Sequence, residues 1–255
     1  MKNKISILVI FLYFYSVLQG QNNDSTKVPA FFSGVVTATN NGISLLPNFS
    51  LNRAAVLFDL SVGKGRLSFD PMFRFALDGK PWAFVFWWRY KLVARRRFAM
   101  GLGAHPSFVF RNTTTTLNGV PVESLAAQRY LAVEASPTYF LSKKANVGLY
   151  YLGSHGLTKD LTQYTHFLAI KGTISGMRFW NVASATLIPQ LYYLKLDQRD
   201  GVYWNVTAVL SKNKFPLSIS SIVSQAIQTE VVGKKTVWNV GLNYNFNQKY
   251  TRQQE

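Results

Sequence analysis

Apolar and polar residues alternate along much of this chain. Every second residue from Trp82 to Leu92 is aromatic or aliphatic, and Val85, Arg89 and Lys91 lie between them. A period of two places successive side chains on opposite faces of a β-strand. The same alternation recurs at residues 67–77, 98–110, 131–139, 206–210 and 238–246. Helical periodicity is absent, so the pattern predicts an all-β fold.

Turn residues divide this pattern into about twelve strands, within a range of roughly 10–14. We place the strands at residues 42–50, 54–63, 66–78, 81–93, 97–111, 127–141, 145–154, 163–177, 183–197, 201–211, 215–229 and 235–246. Residues 31–39 either extend the first strand or add a hairpin partner. Long connections at 112–126 and 155–162 follow odd-numbered strands, and short ones follow even-numbered strands. This parity favours a transmembrane β-barrel with an even strand count.

The first twenty residues have the composition of a secretory signal peptide. Lys2 and Lys4 precede an apolar run at 5–18, and Gly20 precedes Gln21. The run is shorter than the roughly 20 apolar residues that a membrane helix needs. We therefore expect a signal peptide at 1–20 and a lead-in segment at 21–41, with an uncleaved anchor as the alternative because Leu18 is larger than the residue usual before a cleavage site.

The last predicted strand ends in a specific motif. Asn239 is followed two residues later by Gly241, and Tyr244 and Phe246 follow on the apolar face. This motif resembles the closing strand of the transmembrane β-barrels of Gram-negative outer membranes. The resemblance implies a closed antiparallel up-and-down barrel at 42–246 and a location in the outer membrane. It also implies three partners, namely outer-membrane lipid, lipopolysaccharide and the assembly machinery, which reads the motif. The polar tail at 247–255 departs from the family pattern, since many relatives stop at the aromatic residue, and we expect it either free in the periplasm or folded against the barrel.

Composition agrees with a surface that faces lipid. Of the 255 residues, 48% are hydrophobic, 15% are aromatic and only 15% are charged, whereas soluble domains are roughly one quarter charged. The chain has no cysteine, which excludes disulfides, cysteine-ligated zinc, iron–sulfur clusters and thiol catalysis. Its three histidines are dispersed. We therefore expect no metal and no cofactor.

Strong basicity raises the question of nucleic-acid binding. The formal net charge is +17, but the positive residues are dispersed over predicted strands and turns. The one cluster, Arg95–Arg97, lies at a predicted turn. We therefore expect contact with a membrane surface or with phosphate groups, and no nucleic-acid partner.

A secreted soluble β-sandwich or lipocalin-like barrel is the alternative fold, because it also contains short alternating strands. Two features disfavour it. The row Trp82, Phe84, Phe86, Trp88 and Tyr90 is unusually wide for a volume-matched core. The opposite faces carry glycines and charged residues, as a polar lumen does.

Charged residues on the polar faces predict the content of the lumen. With two-residue turns at Lys64-Gly65 and Gly79-Lys80, Asp59 lies opposite Asp70, and Asp70 lies opposite Arg89. The inward cations on the same reading are Arg74, Lys91, Arg111 and Lys171, which face Glu134. These charges form either an ionic ladder that fills a narrow barrel, which we favour, or a constriction that selects solutes. The predicted function is a small passive pore or a structural envelope protein.

One pair of residues suggests an enzyme instead. His105 and Ser107 have the His-x-Ser spacing, which places both side chains on one face of a strand. The pair resembles the catalytic element of outer-membrane phospholipase A and of the lipid A deacylases, which implies ester hydrolysis of lipid. Two departures count against it: Phe108 stands where those families have asparagine, and alternation turns the pair inward rather than toward lipid.

Overall fold

The computed structural model describes residues 29–44, 50–117, 120–159, 161–179 and 183–250. Twelve strands form one closed antiparallel barrel, in which consecutive strands pair and β1 pairs with β12. The strands are β1 Ala30–Thr39, β2 Ala55–Lys64, β3 Leu67–Ala76, β4 Pro81–Ala94, β5 Phe98–Leu117, β6 Val120–Phe140, β7 Ala145–Gly156, β8 Tyr164–Phe179, β9 Ala183–Leu196, β10 Arg199–Ser211, β11 Leu217–Thr229 and β12 Thr236–Tyr250. The predicted fold class and strand number are confirmed.

The outer face of the barrel is apolar. On β9, Leu191 and Tyr193 are 47% and 37% exposed, whereas Tyr192 between them is only 3% exposed. A water-soluble barrel turns its apolar face inward, so this outward apolar face is suited to hydrocarbon. Closure pairs every strand on both sides, as a chain crossing lipid requires. None of the residues that the structure describes forms a helix able to span a membrane.

The first strand lies earlier than predicted. β1 is Ala30–Thr39, whereas residues 42–44 belong to no strand and 45–49 lie outside the described residues. The backbone turns back instead, because the N–H of Gly42 donates to the carbonyl of Arg53 and the N–H of Leu51 donates to that of Gly42. The barrel therefore begins at residue 30 rather than 42, and β12 continues to Tyr250 rather than ending at 246. The predicted signal peptide lies outside the described residues.

A β-bulge changes the predicted face of one tryptophan. Arg74 pairs with Ala83 but Phe75 pairs with Pro81, so Trp82 is the extra residue in β4. Its side chain is 3% exposed and lines the interior instead of continuing the outer aromatic row. The outward row therefore begins at Phe84, which packs against other outward rings of β3 and β5.

The connections differ at the two ends of the barrel. The turn end carries both terminal strand ends and the connections after β2, β4, β6, β8 and β10, and the loop end carries the others. The predicted loop 112–126 is wrong, because β5 and β6 remain paired as far as Leu117 and Val120. Their neighbours β4 and β7 pair with them only to Val109 and Tyr130. Residues 110–117 and 120–129 therefore form a two-stranded arm beyond the loop-end rim.

Candidate functional site

Much of the lumen is filled by a buried apolar cluster. Phe167 and Leu194 are fully buried, and Tyr192 stacks on Tyr203 with ring centroids 5.0 Å apart. We call this group the apolar cluster, and its buried members are Trp87, Ala132, Leu152, Phe167, Ala169, Tyr192, Leu194, Leu196, Tyr203 and Val231. Val231 comes from the connection between β11 and β12, so that connection folds over the loop-end mouth. Side chains from opposite walls meet, as expected in a small barrel.

Pairs of adjacent aromatic residues are the sequence signal that the lumen prediction missed. Alternation lets only one member of such a pair face lipid, and the other must point inward. In four such pairs the first residue points into the lumen and the second points outward: Trp87-Trp88, Tyr150-Tyr151, Tyr192-Tyr193 and Tyr203-Trp204. The lumen is therefore more aromatic than the charged interior that the sequence predicts.

Beside the apolar cluster lies an ionic network centred on Arg89. Its guanidinium contacts Asp70 Oδ2 at 3.0 Å and Glu134 Oε1 at 2.6 Å. The Tyr150 hydroxyl donates to Glu134 Oε2 at 2.7 Å, and Arg89 lies 4.4 Å from the ring centroid of Trp87. Glu134 is only 6% exposed, so these partners, rather than water, stabilise its negative charge.

The predicted partners of these charges are partly wrong. The turn after β2 is Gly65-Arg66, with Gly65 at φ 62°, so Asp59 pairs with Met72 rather than with Asp70. The Asp59 carboxylate instead contacts Arg74 at 3.0 Å. The error displaces the register by two residues, which changes the partner but retains the face.

Asp70 and Arg89 nevertheless meet, although they are not directly opposite. Asp70 pairs with Trp87, and Arg89 pairs with Ser68, so their ion pair is diagonal. Asp70 also accepts hydrogen bonds from Ser61 and Ser68. The predicted inward position of both residues is correct, and the predicted direct pairing is not.

A cavity of about 390 Å³ borders both the ionic network and the apolar cluster, because Arg89, Trp87 and Leu152 all line it. Three cationic residues line it, Arg74, Arg89 and Lys171. Ile43 and Ser44 also line it, so the connection after β1 folds into the barrel. Lys91 lies nearer the turn end, with its ammonium 6.0 Å from the ring centroid of Phe31.

His105 and Ser107 line the same cavity and are 8% and 6% exposed. Among the described residues no hydrogen bond joins them, and His105 Nδ1 has no hydrogen-bond partner. Glu134 does not orient the histidine, because it is bonded to Arg89 and Tyr150. The inward direction predicted for the pair is confirmed, but the acid that would complete a catalytic triad is engaged elsewhere.

Comparison with known proteins places this geometry in context. No protein-family model matches the sequence, and no curated protein matches it. Among solved structures, the fold is similar to the KdgM porin, with a TM-score of 0.52 and 13% identity over 84% of this chain and 99% of that chain. This chain has the fold of a porin barrel. The COG4313 outer membrane channel from Pseudomonas putida F1 matches with a TM-score of 0.47 and 10% identity, over 90% of this chain and 100% of that chain.

The motif that predicts assembly into the outer membrane lies where β12 pairs with β1 and closes the barrel. Phe246 packs against Phe32 of β1, with ring centroids 5.2 Å apart, and its ring lies over Gly34. The side chain of Asn239 bonds to both neighbouring segments, since its Nδ2 donates to the carbonyl of Asn41 and its Oδ1 accepts from the N–H of Ile222. Gly241 pairs with Thr39, and Tyr244 pairs with Val36. The motif therefore also has a structural role in closing the barrel.

Among the residues that the structure describes, no group of three histidine, aspartate or glutamate side chains is arranged as metal ligands are.

Proposed function

We propose that the protein is a narrow passive pore of the outer membrane with a preference for anions. The observation that carries this proposal is the cavity lined by Arg74, Arg89 and Lys171 inside a closed barrel. Arg74 and Arg89 are paired with carboxylates, whereas Lys171 joins none of the ion pairs that the described residues form. A passing anion would therefore be attracted to the charge of Lys171, which no ion pair of the described residues offsets.

Recordings on the refolded protein in planar bilayers test this proposal. We expect small unitary currents, because the apolar cluster narrows the lumen. Under a KCl gradient the reversal potential should show anion selectivity. Lys171→Glu should reverse or abolish this selectivity, whereas the exposed loop-end change Lys235→Glu should leave most of it. Equal effects of the two variants would refute a selective role for the cavity.

A structural role is the second candidate, and the filled lumen favours it. If the apolar cluster seals the barrel, correctly folded protein will insert into bilayers without unitary currents. Folding is checked by the mobility difference between unheated and boiled samples in detergent. Folded but silent protein would support the structural role and exclude the pore.

We further propose that the barrel does not hydrolyse lipid. His105 and Ser107 face the lumen, and Glu134 is bonded elsewhere. The purified protein should release no fatty acid from phospholipid or lipid A, and Ser107→Ala should not change this result. Release that is lost in Ser107→Ala would establish the esterase.

Export and assembly follow from the predicted signals. We propose that residues 1–20 direct secretion and that Asn239, Gly241, Tyr244 and Phe246 are read by the assembly machinery, with both chain termini in the periplasm. Phe246→Asp should stop assembly into the membrane while secretion continues. Lys249→Asp is a control in the same strand, since its side chain lies outside the motif.

A further inference from the structure

The charged residues of the barrel are distributed unequally between its two ends. Among the described residues, the exposed cations at the turn end are Lys64, Arg66, Arg95, Arg96, Arg97, Lys143, Lys144, Arg178, Lys212, Lys214 and Lys249. The described part of this end contains no acidic residue, and none of these cations joins an ion pair there. The acidic residues that the structure describes lie in the lumen (Asp59, Asp70 and Glu134) or at the loop end (Asp78, Glu123, Asp197, Asp200 and Glu230).

The turn-end cations extend around the circumference rather than forming one patch. They lie on four of the turns, after β2, β4, β6 and β10, and on the ends of β8 and β12. The sheet is closed, so these positions are spaced around the whole rim. A globular partner would contact one side of such a rim, whereas a lipid leaflet contacts all of it.

Aromatic side chains place this rim at the level of lipid headgroups. Tyr90, Phe98 and Tyr139 are each at least 36% exposed and lie within a few residues of the turn-end connections. Phe215 and Tyr250 extend the band around the barrel and are 54% and 53% exposed. Transmembrane barrels have aromatic girdles of this kind at the two interfaces between hydrocarbon and headgroups.

We call the turn-end cations the basic rim, and we propose that they bind the phosphate groups of anionic phospholipids in the leaflet at the turn end. The connections there are short, which keeps the cations at the membrane surface instead of projecting them into solution. Each lysine or arginine near an anionic surface adds attraction that falls off within a Debye length. The rim would therefore select anionic lipid around the barrel, whether or not the lumen conducts.

The lipid preference is measurable by electron paramagnetic resonance of the barrel in phosphatidylcholine bilayers. Trace spin-labelled phosphatidylglycerol or spin-labelled phosphatidylcholine reports the fraction of each lipid held at the protein. We expect a preference of about fivefold for phosphatidylglycerol at low salt, falling toward onefold at high salt. Absence of any preference would overturn the proposal.

Two matched variants assign the preference to one end, and each removes the same number of positive charges. The turn-end variant combines Arg95→Gln, Arg96→Gln, Arg97→Gln, Lys143→Gln and Lys144→Gln. The loop-end control combines Lys80→Gln, Arg129→Gln, Lys159→Gln, Lys234→Gln and Lys235→Gln. Heat-dependent gel mobility confirms that both are folded.

The turn-end variant should lose most of the preference, and the control should keep it. Equal losses in the two variants would show a general charge effect and refute the assignment. A third result is a turn-end variant that keeps the lipid preference but loses the binding to isolated cell-wall material that the wild type shows. That result would assign the turn-end cations to an anionic polymer of the cell wall and would also overturn the proposal.

Discussion

The two walls of the lumen follow the same alternation but differ in chemistry. The wall of β3–β6 presents Arg74, Arg89 and Glu134 with the cavity beside them. The wall of β8–β10 presents Phe167 and Tyr192, packed as in the core of a soluble protein. A position that faces away from lipid is thus not necessarily polar. In a narrow barrel such positions meet across the lumen, and packing decides whether they are charged or apolar.

Removing the most buried ring of the apolar wall should have the largest effect. Phe167→Ala creates a cavity at a fully buried site, and we expect a loss of about 3–5 kcal/mol in the free energy of unfolding. Urea unfolding in lipid vesicles, followed by tryptophan fluorescence, measures this loss. The lipid-facing Leu168→Ala is the control and should cost much less. Equal losses would show that the cluster does not act as a core.

Breaking the ionic wall should cost less, because Arg89 is partly exposed. Its side chain is 36% exposed, so we expect Arg89→Gln to lose about 2–3 kcal/mol, below the cost at a fully buried pair. The loss arises from leaving the Asp70 and Glu134 carboxylates without their cation. Adding Glu134→Gln should therefore recover part of it in the same unfolding measurement. Simple additivity of the two changes would contradict the network.

Removing one tyrosine hydroxyl from each wall compares the two walls by the loss of a single hydrogen bond. Tyr150 donates to the Glu134 carboxylate at 2.7 Å, whereas the Tyr192 hydroxyl lies 3.3 Å from that of Ser224. We expect Tyr150→Phe to cost about 1.5–2 kcal/mol, because the partner is charged, and Tyr192→Phe about 0.5 kcal/mol. The reverse order would remove the distinction between an ionic and an apolar wall.

The smallest effect is expected at a loop-end ion pair outside the lumen. Arg53 contacts Asp78 at 3.1 Å, and their side chains are 50% and 43% exposed, so Arg53→Gln should not change the unfolding midpoint measurably. The pKa of Asp78 is lowered chiefly by the backbone N–H of Lys80 and then by nearby cations. Any stabilisation from this carboxylate is therefore present at neutral pH and is lost as the pH falls through the lowered pKa. An unfolding midpoint that depends on pH in the wild type but not in Arg53→Gln would show that the ion pair stabilises the barrel more than we expect.

Alternation alone predicted which side chains face the lumen at Asp70, Arg74, Arg89 and Ser107. The turn after β2 was misplaced by one residue, which displaced the register by two. The predicted faces remained correct despite this error, because side-chain direction repeats every second residue. The predicted pairing partners were wrong, because each partner depends on the turn geometry.

Three features escaped prediction because they depend on irregular or distant contacts. The sequence 42–50 contains Ile43, Leu45 and Leu46 and therefore suggested a strand, but Gly42 bonds back to Arg53. Trp82 changes face at a bulge. The arm beyond the rim exists because β5 and β6 remain paired after their outer neighbours end.

Hydrophobic periodicity is a local property of the chain, so it is enough to predict the all-β fold, the approximate strand number and the lipid-facing side of most strands. The content of the barrel could not be predicted in this way, because it depends on contacts between distant strands. Trp87 belongs to β4, yet it packs in one cluster with Phe167 and Tyr192 of the opposite wall. That contact depends on the closure and diameter of the barrel, which no single strand encodes.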